Sequence, residues 1–232
     1  MPEKISLIIP CKNEIESLGA VLNEIKNNEY VDEIIVVVDS EDDNSIPIIN
    51  NFDCKLIIQK RKGYGSAIIE GFKKAKNKFG CIYNADYSFD PRYLGDLVNL
   101  SKQNDFVFGS RYGGKGGSDD DDIITFTGNR IFTFITKYIL GIKLSDILFT
   151  YVLCNVEKFN KLNLKSVDFK LCIELPTKVK KNDYKYVDLE MYERKRYDGV
   201  KKVKVIKDGF LISYEIIKLS LIHISEPTRR RT

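Results

Sequence analysis

Residues 33–43 read EIIVVVDSEDD, an unbroken apolar, largely β-branched run that passes directly into an acidic turn. Such a run predicts a strand covered on both faces, as in a parallel sheet, and the polar turn marks its end. Working outward, Ile5-Ser6-Leu7-Ile8-Ile9, stopped by Pro10, predicts a strand before it. Apolar residues at Ile15, Leu18, Val21, Leu22 and Ile25 predict an intervening helix over 13–27. Further along, 54–58 predicts a third strand, 66–77 a helix, 80–84 a fourth strand, 92–101 a helix and 105–109 a fifth strand. This βαβαβ alternation with short connections predicts an α/β domain whose mostly parallel central sheet carries helices on both faces. Ligands bind beyond the carboxyl ends of strands in such sheets. Chemistry is therefore expected on the tips 10–14, 39–45, 60–65 and 84–90.

The second half differs in character. Residues 113–122 (GGKGGSDDDD) hold no apolar side chain and are expected to form a mobile loop. The apolar stretch 131–140 suits a helix that covers the sheet edge or approaches lipid. Residues 168–181 read as a helix and 186–189 as a strand. Between Lys178 and Lys207 eleven basic residues face five acidic ones. There are no internal repeats.

The chain has 232 residues, 43% hydrophobic and 30% charged, enough for one compact α/β domain. That composition excludes disordered, collagenous and disulfide-scaffold classes. Cys11, Cys54, Cys81, Cys154 and Cys172 are scattered and never form C-x-x-C. They read as reduced, mostly buried residues of a cytosolic protein with no structural zinc site. No signal peptide and no run long enough to cross a bilayer is visible.

Residues 219–229 (LSLIHISEPTR) resemble the translation of a transposon-type sequencing adapter. On that reading 219–232 is an artefactual tail; the alternative is an amphipathic helix that breaks at Pro227. Without the tail, 34 basic residues (37 less Arg229, Arg230 and Arg231) nearly balance 32 acidic ones (33 less Glu226), and the sole histidine, His223, is lost. Ser-His-Asp and Cys-His catalysis then drop out, with every metal site that needs imidazole.

Among candidate constellations, Asp86, Ser88 and Asp90 close the fourth strand. Carboxylate and hydroxyl oxygens suit Mg²⁺ or Mn²⁺, which commonly share coordination with substrate phosphates. Asp90 before Pro91 equally suits a helix start. Asp39 at the end of the second strand can accept hydrogen bonds from a base or ribose. Residues 61–65 are basic and glycine-rich ahead of a helix N-terminus, which favours anions. Neither G-x-x-x-x-G-K-[ST] nor G-x-G-x-x-G is present, so P-loop and Rossmann readings fail. Arg111, Arg130, Arg194 and Arg196 suggest a second anion site, since a guanidinium donates twice to phosphate. Near-neutral charge and the absence of Trp argue against a nucleic-acid partner.

In order and spacing these motifs resemble the GT-A-fold glycosyltransferases of family 2, especially the branch acting on polyprenyl (dolichol) phosphate. The resemblance runs from Ile5 to Phe210. Residues 9–14 (IPCKNE) are similar to the opening I-P-x-x-N-E, which implicates Pro10, Asn13 and Glu14 at the nucleotide. Asp39 matches the first aspartate of V-V-D-D-x-S, and 60–67 matches R-x-x-G-x-G-x-A, implicating Arg61, Gly63 and Gly65. Residues 84–91 (NADYSFDP) resemble D-A-D-L-[SQ]-H-[DP]-P, with Asn84 and Ala85 at the donor and Asp86 and Ser88 as metal ligands. Residues 108–112 resemble G-[ST]-R-[YF], while 128–130 and 141–146 resemble G-N-R…G-x-x-x-S-D. Glu174 matches an acidic position in an E-I-E-L pattern, and 193–202 resemble the basic R-x-x-G-x-S-K segment. Asn84, where an aspartate is expected, Ser40 and 149–151 (FTY) depart from the pattern.

The resemblance implies one GT-A domain over 1–218, with a nucleotide-sugar half (1–112) and an acceptor half (113–218). It implies transfer of a hexose, with inversion, from a GDP-mannose or UDP-glucose type donor to a polyprenyl phosphate, using Mg²⁺ or Mn²⁺ at Asp86. Arg111, Arg130, Arg194, Arg196 and Lys201 would hold the acceptor phosphate. That acceptor, already ionised, attacks without a strong base. If it is instead a glycan or small hydroxyl compound, Asp146 or Glu174 is the candidate base. A degenerate nucleotide-sugar-binding domain is the other alternative. A lipid acceptor would place the protein in the cytoplasm, peripheral on a membrane through 131–140, with membrane helices expected beyond Lys218.

Overall fold

The computed structural model describes residues 2–197 and Ile216. In chain order the elements are β1 (Ile5–Cys11), α1 (Ile15–Ile25), β2 (Val31–Val38), α2 (Ile46–Ile49), β3 (Lys55–Ile58), α3 (Tyr64–Phe72), β4 (Phe79–Ile82), α4 (Leu94–Ser101), β5 (Phe106–Ser110), β6 (Gly117–Ser118), α5 (Ile123–Ile139), β7 (Val152–Asn155), α6 (Val156–Lys161), α7 (Leu171–Lys181), β8 (Tyr186–Glu190) and β9 (Tyr192–Glu193). Seven strands form one sheet in the order β3-β2-β1-β4-β7-β5-β8; β6 and β9 form a separate pair.

The sheet is parallel except at β7, which inserts antiparallel between β4 and β5. Period-two alternation sorts the side chains to the two faces. Ile5, Leu7 and Ile9 of β1 pack with α1 and α4, whereas Ile8 turns to α3, α6 and α7. In β2, Val36 and Val38 join the first cluster while Ile35 and Val37 face Ala67. The run at 33–38 is thus covered on both sides, as its composition predicts.

Three expectations change. Residues 113–122 are tied down rather than loose: Gly117 and Ser118 pair with Tyr192 and Glu193, and Gly117 N–H donates to the Met191 carbonyl. The apolar helix begins at Ile123, eight residues before 131, because Asp122 caps it by accepting from Thr125 N–H at 2.8 Å. The helix after the glycine loop stops at Phe72. Along α5, Ile123, Ile124, Ile131, Phe134 and Tyr138 remain exposed. Among the described residues no helix is long and apolar enough to cross a membrane.

Candidate functional site

The parallel strands β1, β2 and β4 end at one edge of the sheet, and their tips open into a pocket of about 550 Å³. It brings together nine of the expected residues, namely Pro10, Glu14, Asp39, Gly63, Asn84, Ala85, Asp86, Arg111 and Arg196. At one wall, Asp39 accepts from Lys12 Nζ and from Gln59 Nε2, each at 2.8 Å. The Lys12 hydrogen bond holds the Asp39 carboxyl below the usual range. Asn13 stands behind this wall: its backbone N–H donates to Asp43, and Glu14 N–H donates to Ser45 Oγ. These bonds fix the β1–α1 loop against the β2–α2 loop. Beneath them, burial pushes the Cys11 thiol up to about 12, which leaves it inert.

The glycine loop works differently from the expected anion cradle. A Cβ on Gly63 would lie 2.2 Å from the Val167 carbonyl, and one on Gly65 would lie 2.4 Å from that of Ser166. Gly63 also adopts φ +134°, a left-handed conformation that disfavours side chains. The glycines admit the backbone at 166–168, and Ser66 N–H donates to the Val167 carbonyl at 3.0 Å. That α3 donor is therefore spent on protein. Arg61 lies outside the pocket lining, its N–H directed to Glu70, while Lys62 lines it.

Asp86 lines the pocket at the end of β4. Its Oδ1 accepts from Ser88 N–H at 3.0 Å and Ser88 Oγ at 2.6 Å, and its Oδ2 lies 3.7 Å from Arg196 Nη1. Ser88 is buried and orients Asp86 rather than facing the pocket. Chain beyond β9 clamps this loop: Arg194 N–H donates to the Ser88 carbonyl and Tyr197 N–H to that of Asp86. Asn84 Oδ1 accepts from the Tyr64 hydroxyl at 3.3 Å. Asp90 starts the next helical turn by accepting from Arg92 N–H at 2.9 Å, so it serves the cap.

Most of the expected arginines have protein partners. Arg111 is buried, with Nε 2.7 Å from Asp146 and Nη1 3.1 Å from Glu193 and 3.4 Å from Asp121. Arg194 forms a two-pronged pair with Glu24 and lies over the Tyr87 ring. Arg130 is exposed outside the lining, 5.9 Å from the Tyr112 ring centre. Arg196 reaches the pocket and donates to both oxygens of Asp120, at 3.0 and 2.8 Å. Lys201 and the 219–232 tail, with His223, lie outside the described residues.

Both carboxylates expected as bases have other employment. Asp146 is sealed by Arg111 and by Leu148 N–H. Glu174 lies outside the lining and accepts from the N–H groups of Lys165 and Ser166 and from Lys178 Nζ. Burial opposes its charge, but Lys178 and the Ser166 N–H outweigh that and hold its carboxyl below the usual range.

Sequence reading missed Lys12, Gln59, Tyr64, Asp120, Asp121 and Asp168 as lining residues. Lys12 stood inside the quoted opening motif, and the acidic run opposite a basic C-terminal segment was the available signal for Asp120 and Asp121. Asp168 had only its position at a predicted helix start.

A sequence model described as Glycosyl transferase family 2 matches residues 6–162. The dolichol-phosphate mannosyltransferase of Pyrococcus furiosus is 34% identical over 122 residues, which cover 48% of this chain and 35% of that protein. An uncharacterized glycosyltransferase of Mycobacterium tuberculosis is 32% identical over 110 residues, 47% of this chain and 49% of the other. The chain thus spans at most about half the length of these curated relatives. Among solved structures, glucosyl-3-phosphoglycerate synthase from Mycobacterium tuberculosis with Mn²⁺, UDP and glucosyl-3-phosphoglycerate superposes with a TM-score of 0.70 at 16% identity, covering 98% of this chain and 82% of that one. Mannosyl-3-phosphoglycerate synthase from Rubrobacter xylanophilus gives 0.67 at 16% identity, covering 99% and 77%. These likenesses identify the fold as GT-A.

Proposed function

The chain belongs to glycosyl transferase family 2, and on that footing we propose that its pocket takes a nucleotide diphosphate sugar and passes the hexosyl group, with inversion, to a hydroxyl acceptor. The observation that carries the reading is the gathering of Pro10, Asp39, Asn84, Asp86 and Arg196 around one pocket at the strand ends. Asp39, held ionised by Lys12, is suited to accept an N–H of the base. Asp86, which lines the same pocket, would face the diphosphate leaving group, whose developing charge needs compensation.

The residues fit a divalent cation that arrives with the donor. Mg²⁺ commonly uses one or two carboxylates plus substrate phosphates, and Asp86 supplies one carboxylate at 15% exposure. Among the described residues no cluster of three acidic, imidazole or thiolate groups offers a self-sufficient site. Seven carboxylates line the pocket against four cationic side chains, a formal −3. A doubly charged diphosphate entering such a wall calls for added positive charge. When bound, the cation would neutralise charge on the departing diphosphate; Asp86 would hold it.

A hydroxyl acceptor is preferred to a polyprenyl phosphate because Arg111 and Arg194 are spent on carboxylates and Arg130 lies off the pocket. Solved complexes of the M. tuberculosis synthase contain phosphoglyceric acid, which agrees with a small acceptor. The polyprenyl-phosphate reading retains one favourable observation. The exposed apolar face of α5 adjoins the pocket, which Ile124 and Phe132 of the same helix line. On that reading α5 would lie at a membrane surface.

Transfer assays with UDP-glucose and GDP-mannose, using phosphoglyceric acid, methyl glucoside and undecaprenyl phosphate, with Mg²⁺, Mn²⁺ or EDTA, decide between them. Metal-dependent glycoside formation, lost in Asp86→Ala, supports the hydroxyl reading. Label in the lipid phase alone replaces it with the second. Nucleotide-sugar binding without any product leaves a binding domain.

A further inference from the structure

A hydroxyl attacking an anomeric carbon must shed a proton, so a hydroxyl acceptor calls for a carboxylate that faces the pocket and keeps a lone pair available. The two carboxylates proposed from sequence, Asp146 and Glu174, fail on position. The pocket lining narrows the choice. Asp39 is held by Lys12 and Gln59, and Glu14 lies on the same β1–α1 side. Asp86 is committed to Ser88 and lies beside Arg196. Asp120 is gripped by Arg196 through both oxygens, and Asp121 and Glu193 share Arg111.

Asp168 is different. It opens the turn into α7, lines the pocket, and its side chain is 38% exposed against 15% or less for Asp39, Asp86, Asp120, Asp121 and Glu193. Among the described residues its carboxylate partners are both on Lys170: the backbone N–H at 3.0 Å to Oδ1 and Nζ at 3.3 Å from Oδ2. Its backbone is held firmly. Glu174 grips the N–H groups of Lys165 and Ser166, and the Val167 carbonyl accepts from Ser66 N–H. Gly63 and Gly65 let this segment lie directly on the β3–α3 loop, and Phe169 packs on Tyr64 with ring centres 5.8 Å apart.

We propose that Asp168 is the general base of the transfer, a role that rests on the hydroxyl-acceptor reading. The acceptor O–H bond breaks and its proton passes to the Asp168 carboxylate. The acceptor oxygen bonds to the anomeric carbon as the bond from that carbon to the phosphate oxygen breaks. The electron pair leaves with the nucleoside diphosphate, and Asp168 afterwards returns its proton to solvent. Glu174 is then a positioning residue that holds the segment bearing the base.

The test is Asp168→Asn, which keeps an oxygen to accept from Lys170 N–H. GDP and UDP affinities by calorimetry report that the fold and donor site persist. Transfer to phosphoglyceric acid and methyl glucoside should fall by about 10²-fold or more in kcat, with nucleoside diphosphate affinity within about threefold of wild type. Transfer to undecaprenyl phosphate, an acceptor already ionised, should be unchanged wherever wild type shows it. Wild-type kcat on hydroxyl acceptors in Asp168→Asn overturns the base while leaving the hydroxyl reading intact. Wild-type transfer to the lipid phosphate alone removes that reading and the base with it.

Discussion

Asp146→Asn separates a structural carboxylate from a catalytic one. Asp146 is fully buried, and its oxygens accept from Arg111 Nε at 2.7 Å, Arg111 Nη2 and Arg111 N–H at 3.2 Å, and Leu148 N–H at 3.3 Å. An asparagine keeps one acceptor oxygen and turns an NH₂ group toward donors, so at least one buried donor is orphaned. Removing one partner of a buried ion pair costs about 3–5 kcal/mol. Arg111 retains Glu193 and Asp121, which puts this case near the low end, about 3 kcal/mol. For a domain of this size that corresponds to a fall in Tm of roughly 6–12 °C. Circular dichroism melts measure the shift, and a guanidinium midpoint that falls with an unchanged slope confirms a loss of stability. Nucleoside diphosphate affinity at low temperature should stay near wild type. A melting point within about 2 °C of wild type, combined with a kcat loss of about 10²-fold, would refute the structural assignment and restore Asp146 as a base.

Two further substitutions probe the segment that carries Asp168. Gly65→Ala places a Cβ 2.4 and 2.7 Å from two backbone carbonyls, which cannot swing aside. It should cost about 1–3 kcal/mol in a urea titration and weaken nucleoside diphosphate binding, and a neutral result would contradict the close approach of 166–168. Glu174→Gln tests linkage. The Glu174 carboxyl sits below its usual range, so its stabilisation is present above the unfolded value of about 4.3 and is lost as pH falls through the lower folded value. The gap in urea midpoint between wild type and Glu174→Gln should be full at pH 7 and shrink below about pH 4; a gap that widens on acidification has the wrong sign.

What could be read from sequence follows from how local the determinants are. Strands β1, β2 and β4 each carry their own apolar run and end at a polar tip, so their direction and the edge bearing the site could be inferred residue by residue. Strand β7 could not. Val152–Asn155 is four residues long, and its antiparallel place between β4 and β5 depends on partners some 45–75 residues earlier. Gly63 and Gly65 were recognisable as special but not as to purpose. A glycine that admits a phosphate and one that admits a carbonyl look alike in sequence, and only the approach of Val167 and Ser166 distinguishes them.

Charge misled for a related reason. The basic stretch after Lys178 suggested phosphate recognition, yet Arg194 answers Glu24 and Arg196 answers Asp120. The acidic run 119–122 suggested part of a mobile loop, yet each aspartate has its own partner. Asp119 accepts from Tyr192, Asp120 from Arg196 and Asp121 from Tyr112 and Arg111, while Asp122 caps α5. The two segments are over 70 residues apart, and the Arg196–Asp120 ion pair and the Tyr192–Asp119 hydrogen bond join them. Bringing them together places the backbone at Arg194 and Tyr197 against Ser88 and Asp86. The pairing therefore orients Asp86 as well as closing the pocket wall. A basic cluster in a nearly neutral chain is better matched first against its own acidic runs, and only the residue left facing a cavity, here Arg196, should then be weighed as a ligand contact.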